Sequence, residues 1–217
     1  MVKTRRKREV QASVKDERLI QKRRDQIING AVALIKEKGY HRMTTREIAR
    51  ASGFSIGTLY EYIRTKEDVL YLVCDRIYDQ VSDRLQIIID TELGSIEGVR
   101  HAIAHFFRVM DEMQDEVLIM YQELKSLTKD ALAYVLEKEL LLVELFRKML
   151  ERCVENKELK LNEAQIKMAA HNIYVQGQMW GFRRWVLGKM YTLEEYIELQ
   201  TSFFLEGLQV EKSNQLN

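Results

Sequence analysis

Apolar positions recur at helical spacing along almost the whole chain. Ile20, Ile27, Ala31, Leu34 and Ile35 follow one another at steps of three, four and seven, which sets them near one face of a helix starting at about Leu19. Gly39 stops that helix, as a left-handed residue past a helix end does. Thr44, with Glu47 three residues on, predicts a capping box and a short second helix, Arg46–Ser52, that turns Ile48 and Ala49 inward. Gly53 ends it, because a sharp turn there needs positive φ. Ser55 caps a third short helix reaching about Ile63, and Thr65 with Asp68 caps a fourth. Further punctuation at Gly94-Ser95, Lys129-Asp130, Asn162, Gly188 and Thr192 to Glu195 predicts helices at about 66–90, 95–112, 114–126, 130–155, 162–188 and 192–209.

Two of these long helices carry more apolar surface than one face can hold. Between Leu132 and Leu150 apolar residues surround the helix, which predicts a central, buried position. Helix 162–188 has one face of Ile166, Ala169, Ala170, Ile173, Gly177 and Trp180, and another of Met168, Asn172, Val175, Met179, Phe182 and Val186. Such a helix buries one side in its own domain and the other against a partner. The last helix adds Tyr196, Leu199, Phe203 and Phe204, so 162–209 is the expected dimer interface, with Ala169, Ala170, Gly177, Phe182, Tyr196 and Phe203 as its contacts. A monomeric hairpin is the alternative.

Composition agrees with an all-α chain. There is no proline among 217 residues and there are only ten glycines, which disfavours sandwiches and barrels with their punctuated turns. Two cysteines, Cys74 and Cys153, make no disulfide framework, which points to a reducing compartment. No apolar run approaches the roughly 18 residues of a membrane span, and no apolar stretch follows the charged N-terminus. A cytoplasmic location follows as the expectation. Charge then divides the chain. The net +1 hides +10 in residues 1–66 and −9 in residues 67–217, the asymmetry of a nucleic-acid-facing module on a different body. Residues 1–18, with Lys3, Arg5, Arg6, Lys7 and Arg8, read as a basic arm, flexible when free. Such an arm can neutralise phosphates or enter a minor groove, and a plain solubilising tail is the alternative.

The stretch from Thr44 to Lys66, TTREIARASGFSIGTLYEYIRTK, carries the chemistry. Two short helices joined by a glycine turn form a helix-turn-helix. Ala49 is small where the second helix crosses it, and Phe54 fills the space between the two. The outer face of the second helix offers Ser55, Ile56, Gly57, Thr58, Tyr60 and Tyr62: hydroxyls and bare backbone suited to phosphates and base edges. Thr44, Thr45 and Lys66 sit at helix N-termini, where N–H groups and the dipole favour phosphate.

With Gly39-Tyr40, Thr44-Thr45, Ile48-Ala49, Gly53, Ser55, Gly57 to Tyr60, Tyr62 and Lys66 in this spacing, the segment from about Ile20 to Leu70 resembles the DNA-binding domain of the TetR family of bacterial repressors. The resemblance implies an all-α homodimer: an N-terminal three-helix helix-turn-helix domain (19–66) and a larger C-terminal helical domain (67–217) for effector binding and dimerisation. It implies a double-stranded DNA operator, phosphate contacts from Thr45, Tyr60, Tyr62 and Lys66, and base approach by Arg46, Ser55, Ile56, Gly57 and Thr58. Arg46 on a guanine would supply about 1–3 kcal/mol of discrimination. Ser52, Phe54, Ile56 and Ile63 depart from the usual family residues, and Ile56 can offer only apolar contact.

Beyond Lys66 the Met and aromatic residues suit an adaptable pocket for a small hydrophobic effector. Phe106, Met110, Met120, Tyr121, Tyr174 and Gln178 are the expected contacts. Arg183-Arg184, amid Trp180 and Trp185, meets either an anionic effector such as an acyl-CoA or an interface glutamate at 194, 195 or 198. His101 and His105 have ligand spacing, but no third ligand lies near in sequence, and no metal or other cofactor is expected. No phosphate-cradling loop or nucleophile motif is present, so no catalytic residue is assigned. The remaining alternative is a helical adaptor or a DNA-coating protein without an effector.

Overall fold

The computed structural model describes residues 10–91 and 94–209. Among them every regular element is helical: α1 (Glu17–Lys38), α2 (Thr45–Ala51), α3 (Ile56–Tyr60), α4 (Lys66–Thr91), α5 (Ile96–Glu112), α6 (Gln114–Glu123), a 3-10 turn (Leu124–Ser126), α7 (Lys129–Glu155), α8 (Glu163–Met190) and α9 (Leu193–Gln209). The capping residues read from the sequence define these ends. Thr44 accepts from the Glu47 N–H while Glu47 Oε2 accepts from the Thr44 N–H at 2.9 Å. Asn162 and Gln165 exchange the same pair of bonds, as do Thr192 and Glu195. The helix-turn-helix glycines take the backbone that L side chains avoid, with φ of +79° at Gly39 and +75° at Gly53.

The chain divides into two compact units. The first comprises the chain up to Tyr78 and Asp115–Lys138; the second comprises Asp79–Gln114 and the chain from Glu139 onward. The expected head, 19–66, thus sits inside the first unit, which also takes the start of α4, α6 and the first turns of α7.

In the first unit α2 packs on α1 and α3 on α2. Ile27, Ile48, Leu59 and Ile63 are fully buried there, and burial of each such side chain contributes about 1.5–3 kcal/mol. Gly30 sits where α1 and α2 cross. A Cβ on it would lie 2.9 Å from Ser52 Oγ and 3.0 Å from the Ala51 carbonyl carbon. Lys36 pairs with Asp115 at 2.5 Å, and Arg76 donates to Asn29 at 2.7 Å. Asp75, buried, accepts from the Tyr134 hydroxyl at 3.0 Å and pairs with Lys138 at 2.8 Å. A buried carboxylate needs such partners.

The second unit is organised around α5, which packs on α8 and α9. Phe106 is its centre, with Phe146, Tyr174 and Phe107 rings at 5.2, 5.8 and 6.2 Å. The inward face of α8 is Ile166, Ala169, Ala170, Ile173, Gly177 and Trp180, the first face of the sequence pattern, with Tyr174 buried beside them. Each unit holds one buried free thiol: Cys74 in the first and Cys153 in the second. Burial pushes both up, to about 12 and about 11. No described helix is long and apolar enough to cross a membrane.

Candidate nucleic-acid interface

α2 and α3 place most of the expected DNA-facing residues on one surface. Thr44, Arg46, Ser55, Ile56, Gly57 and Tyr60 are exposed, while Thr45 and Thr58 are half-exposed. Tyr60, 47% exposed, donates its hydroxyl to Thr45 Oγ1 at 3.4 Å, which joins the outer ends of the two helices. Ser55 accepts from the Thr58 N–H at 3.0 Å, and the two hydroxyls lie 3.0 Å apart. Five residues are too few for an autonomous helix. The cap therefore holds α3 in register, and Ser55 and Thr58 are partly engaged before any DNA arrives.

Two expected phosphate contacts are corrected. Tyr62 is 4% exposed and lies behind the surface, its ring 6.4 Å from that of Phe54. Residues 61 and 62 follow the end of α3, so Tyr62 turns inward where a longer helix was expected. Lys66 is half-buried and spends its ammonium on three carbonyls, those of Tyr40, His41 and Met43, at 3.2, 3.3 and 3.2 Å. It also lies over the Tyr40 ring at 4.4 Å. An ammonium has three protons, so Lys66 braces the link from α1 to α2. On the same surface Lys38 bonds Glu47 and, with the Thr44 bonds, holds its carboxyl down to about 2.

The head also has a fastening that the sequence did not reveal. Asp16 Oδ1 caps α1 by accepting from the Arg18 and Leu19 N–H groups. Before it, Val10 is 5% exposed, and the Ser13 N–H donates to the Glu61 carbonyl at 2.8 Å. Arg24 donates to the carbonyls of Val10 and Tyr62. The stretch expected to be flexible through residue 18 is therefore seated from Val10 onward, and its residues 1–9 lie outside the described residues. Val10, Ala12 and Val14, apolar residues spaced by two in an otherwise polar stretch, were the available signal.

The expected effector and dimer residues are redistributed. Phe106, Met110 and Tyr174 are buried core of the second unit and Gln178 is half-buried there, whereas Met120 and Tyr121 belong to the first, one buried and one exposed. The second unit has an open cleft of about 480 Å³ between α5 and α9, lined by Arg100, His101, His105, Arg108, Glu194 and Thr201 among others. Burial, then Arg84 and Arg108, push the His105 imidazole below its usual range.

Ala169, Ala170, Gly177 and Tyr196 are buried inside their own unit and cannot meet a partner: Gly177 abuts Phe106, and the Tyr196 hydroxyl donates to the Gln176 carbonyl at 2.7 Å. The other α8 face behaves as the two-sided pattern requires, with Met168 and Val175 exposed and Phe182 half-exposed, and α9 adds exposed Leu199 and Phe203. Arg184 finds its carboxylate on Asp111, which also accepts from Trp180 Nε1 at 2.7 Å. Arg108 takes Glu194, at 2.9 and 2.6 Å, and Arg183 stacks over Trp185.

Residues 27–71 match the family described as bacterial regulatory proteins, tetR family, and residues 92–180 match the tetracyclin repressor-like C-terminal domain, together well over half of the chain. The chain belongs to the TetR family. It is a transcriptional regulator, not an enzyme. It is 27% identical over 190 residues to the HTH-type transcriptional regulator HbdR of Aromatoleum sp. (strain CIB), a match covering 87% of this chain and 82% of that protein. A solved TetR-family regulator from Rhodococcus RHA1 superposes with a TM-score of 0.76 at 19% identity, covering 88% of this chain and 99% of that one. AibR, solved in complex with isovaleryl coenzyme A and operator DNA, superposes at 0.67 and 18% identity over 83% of this chain and 97% of its own.

Proposed function

We propose that this TetR-family chain is a repressor that binds a palindromic operator as a homodimer and leaves it when a small acyl effector, an acyl-CoA or a fatty acid, enters the second unit. The observation that carries the reading is the capped, exposed face formed by Thr44, Thr45, Arg46, Ser55, Ile56, Gly57, Thr58 and Tyr60. It presents N-terminal N–H groups and hydroxyls to phosphate, with one guanidinium able to reach a base edge. Tyr60 and Thr45 hold phosphates and Arg46 reads a base.

The dimer forms through the outward rows of α8 and α9, with Met168, Val175, Phe182, Leu199 and Phe203 as its apolar contacts. Two-fold pairing of heads matches two half-sites about one helical turn apart. The acyl class is supported by the aromatic centre at Phe106 and by the likeness to AibR, whose structure holds isovaleryl coenzyme A and operator DNA together. Selection from a randomised duplex pool, then footprinting with and without acyl-CoAs and fatty acids, tests each part. A protected palindrome lost on adding one acyl species is expected. Equal affinity for every duplex refutes the operator, and protection unchanged by every acyl species refutes the effector class.

A further inference from the structure

α5 and α9 meet in two ways. At Phe107 and Tyr196 they pack ring on ring, with centroids 5.5 Å apart. Along the cleft of about 480 Å³ the walls are polar instead: Arg100, His105 and Arg108 come from α5, and Glu194, Glu198 and Thr201 from α9. All of them belong to the second unit. Two of these side chains hold orphaned atoms. Thr201 is 1% exposed, and neither its Oγ1 nor the His105 Nε2 has a hydrogen-bond partner among the described residues. A buried polar atom without a partner costs free energy and calls for a reason. A threonine hydroxyl inside a helix can bond a carbonyl of the preceding turn; this one has no bond to lose by turning towards the cleft. Arg108 gives Nε and Nη2 to Glu194 at 2.9 and 2.6 Å, which leaves Nη1 for another acceptor. The His105 ring is pushed towards its neutral form by burial, then by Arg84 and Arg108, against Glu112, so the potential around it is positive. Of the carboxylates, Glu194 is spent on Arg108, Glu97 lies 3.4 Å from both Arg100 and His101, and Glu198 is exposed.

We propose that this cleft binds a small monocarboxylate, whose oxygens take the Thr201 hydroxyl, the His105 Nε2 proton and an Arg108 Nη1 proton, with a short apolar tail against Ala104 and Ile197. The groups left unspent in the cleft are donors, and donors that include a guanidinium fit an anion. A single charge fits better than a phosphate, because Glu97, Glu194 and Glu198 stand on the same walls and repel each added charge. The volume suits a small ligand. A thioester offers no charged oxygen, so of the two acyl species considered above the free acid is the one this cleft takes. Its part as the effector rests on that acyl reading; the binding site does not.

The test uses the full-length wild type, Thr201→Val and Glu198→Gln. Calorimetry titrates each with acetate, butyrate, hexanoate and octanoate, then with the amide and the amine that match the best-bound acid, and with hexanoyl-CoA. The acid should bind the wild type at least about tenfold more tightly than its amide. Thr201→Val should weaken the acid about tenfold, the worth of one hydrogen bond to a charged group. It should melt no lower than wild type, because an orphaned hydroxyl has gone. Glu198→Gln should tighten the acid, since a like charge leaves the cleft. Wild-type affinity in Thr201→Val overturns the site, as does an amine bound better than its acid, or a wild type that binds none of the acids. Release of a duplex selected by the wild type is then followed with the same acid and with hexanoyl-CoA. Release by the acid, at about tenfold higher concentration in Thr201→Val, supports both the cleft and the acyl reading. Binding of the acid without release keeps the cleft and overturns the acid as effector. Release by hexanoyl-CoA alone, equal in wild type and Thr201→Val, keeps the acyl reading and overturns the free acid as its effector.

Discussion

Gly177 and Phe106 give the most stringent check on the packing of the second unit. A Cβ placed on Gly177 would lie 2.8 Å from Phe106 Cδ1, 3.1 Å from Cζ and closer still to Cε1. The ring cannot swing aside, because it is fully buried and fenced by Phe146, Tyr174 and Phe107. Overpacking of this kind costs about 1–3 kcal/mol, and the short distances place it in the upper half of that range. Replacing glycine inside a helix returns about 1 kcal/mol through backbone entropy. Gly177→Ala should therefore destabilise by about 1–2 kcal/mol. On a Phe106→Leu background the clash is gone, so the same substitution should stabilise by up to about 1 kcal/mol. Urea unfolding at fixed protein concentration, followed by tryptophan fluorescence, reads both. With a slope of about 2–3 kcal/mol per molar, the wild-type midpoint falls by about half a molar. A Gly177→Ala chain as stable as wild type would refute the reasoning, as would a penalty that persists in the double variant, where a smaller leucine side chain replaces the ring.

Lys66→Met should cost about 1–2 kcal/mol by freeing three carbonyls, with the salt slope of DNA binding unchanged; a slope lower by about 0.9 with stability intact would return Lys66 to the phosphate contacts. Glu47 is held near 2 in the fold against its ordinary 4.5, chiefly by Lys38 and then Thr44. Its stabilisation is complete above pH 4.5 and fades as pH falls from 4.5 to 2. Glu47→Gln should flatten thermal stability across that window, and a parallel curve would contradict the bond assignment. Phe203→Glu puts a charge on a 67%-exposed side chain and should leave folding intact while shifting sedimentation from dimer to monomer; an unchanged dimer moves the interface elsewhere.

Helix ends were legible in the sequence because a cap is a local event. Thr44 and Glu47, Ser55 and Thr58, Asn162 and Gln165, and Thr192 and Glu195 meet within three residues of one another, so spacing alone predicts the bond. The two faces of α8 were legible for the same reason, since periodicity is local. Assigning the faces was not. Ala169, Ala170 and Gly177 suit a close helix crossing of either kind, and only the position of Phe106 decides that the crossing lies within the chain. Lys66 and Tyr62 failed differently. Their partners, the Tyr40 to Met43 carbonyls and Phe54, are set by how the α1–α2 link and the α2–α3 turn fold back. The effector contacts were not legible in the same way, because core and pocket draw on the same side chains: Phe106 and Tyr174 stack on one another in the second unit.

The buried cysteines have a practical consequence. Each compact unit carries a single thiol, shielded from solvent and held protonated by its surroundings. Neither can react with a labelling reagent until its own unit opens. Timed alkylation followed by peptide mass analysis would thus clock the opening of the DNA-reading unit at Cys74 and of the other at Cys153, in one tube and without any engineered label.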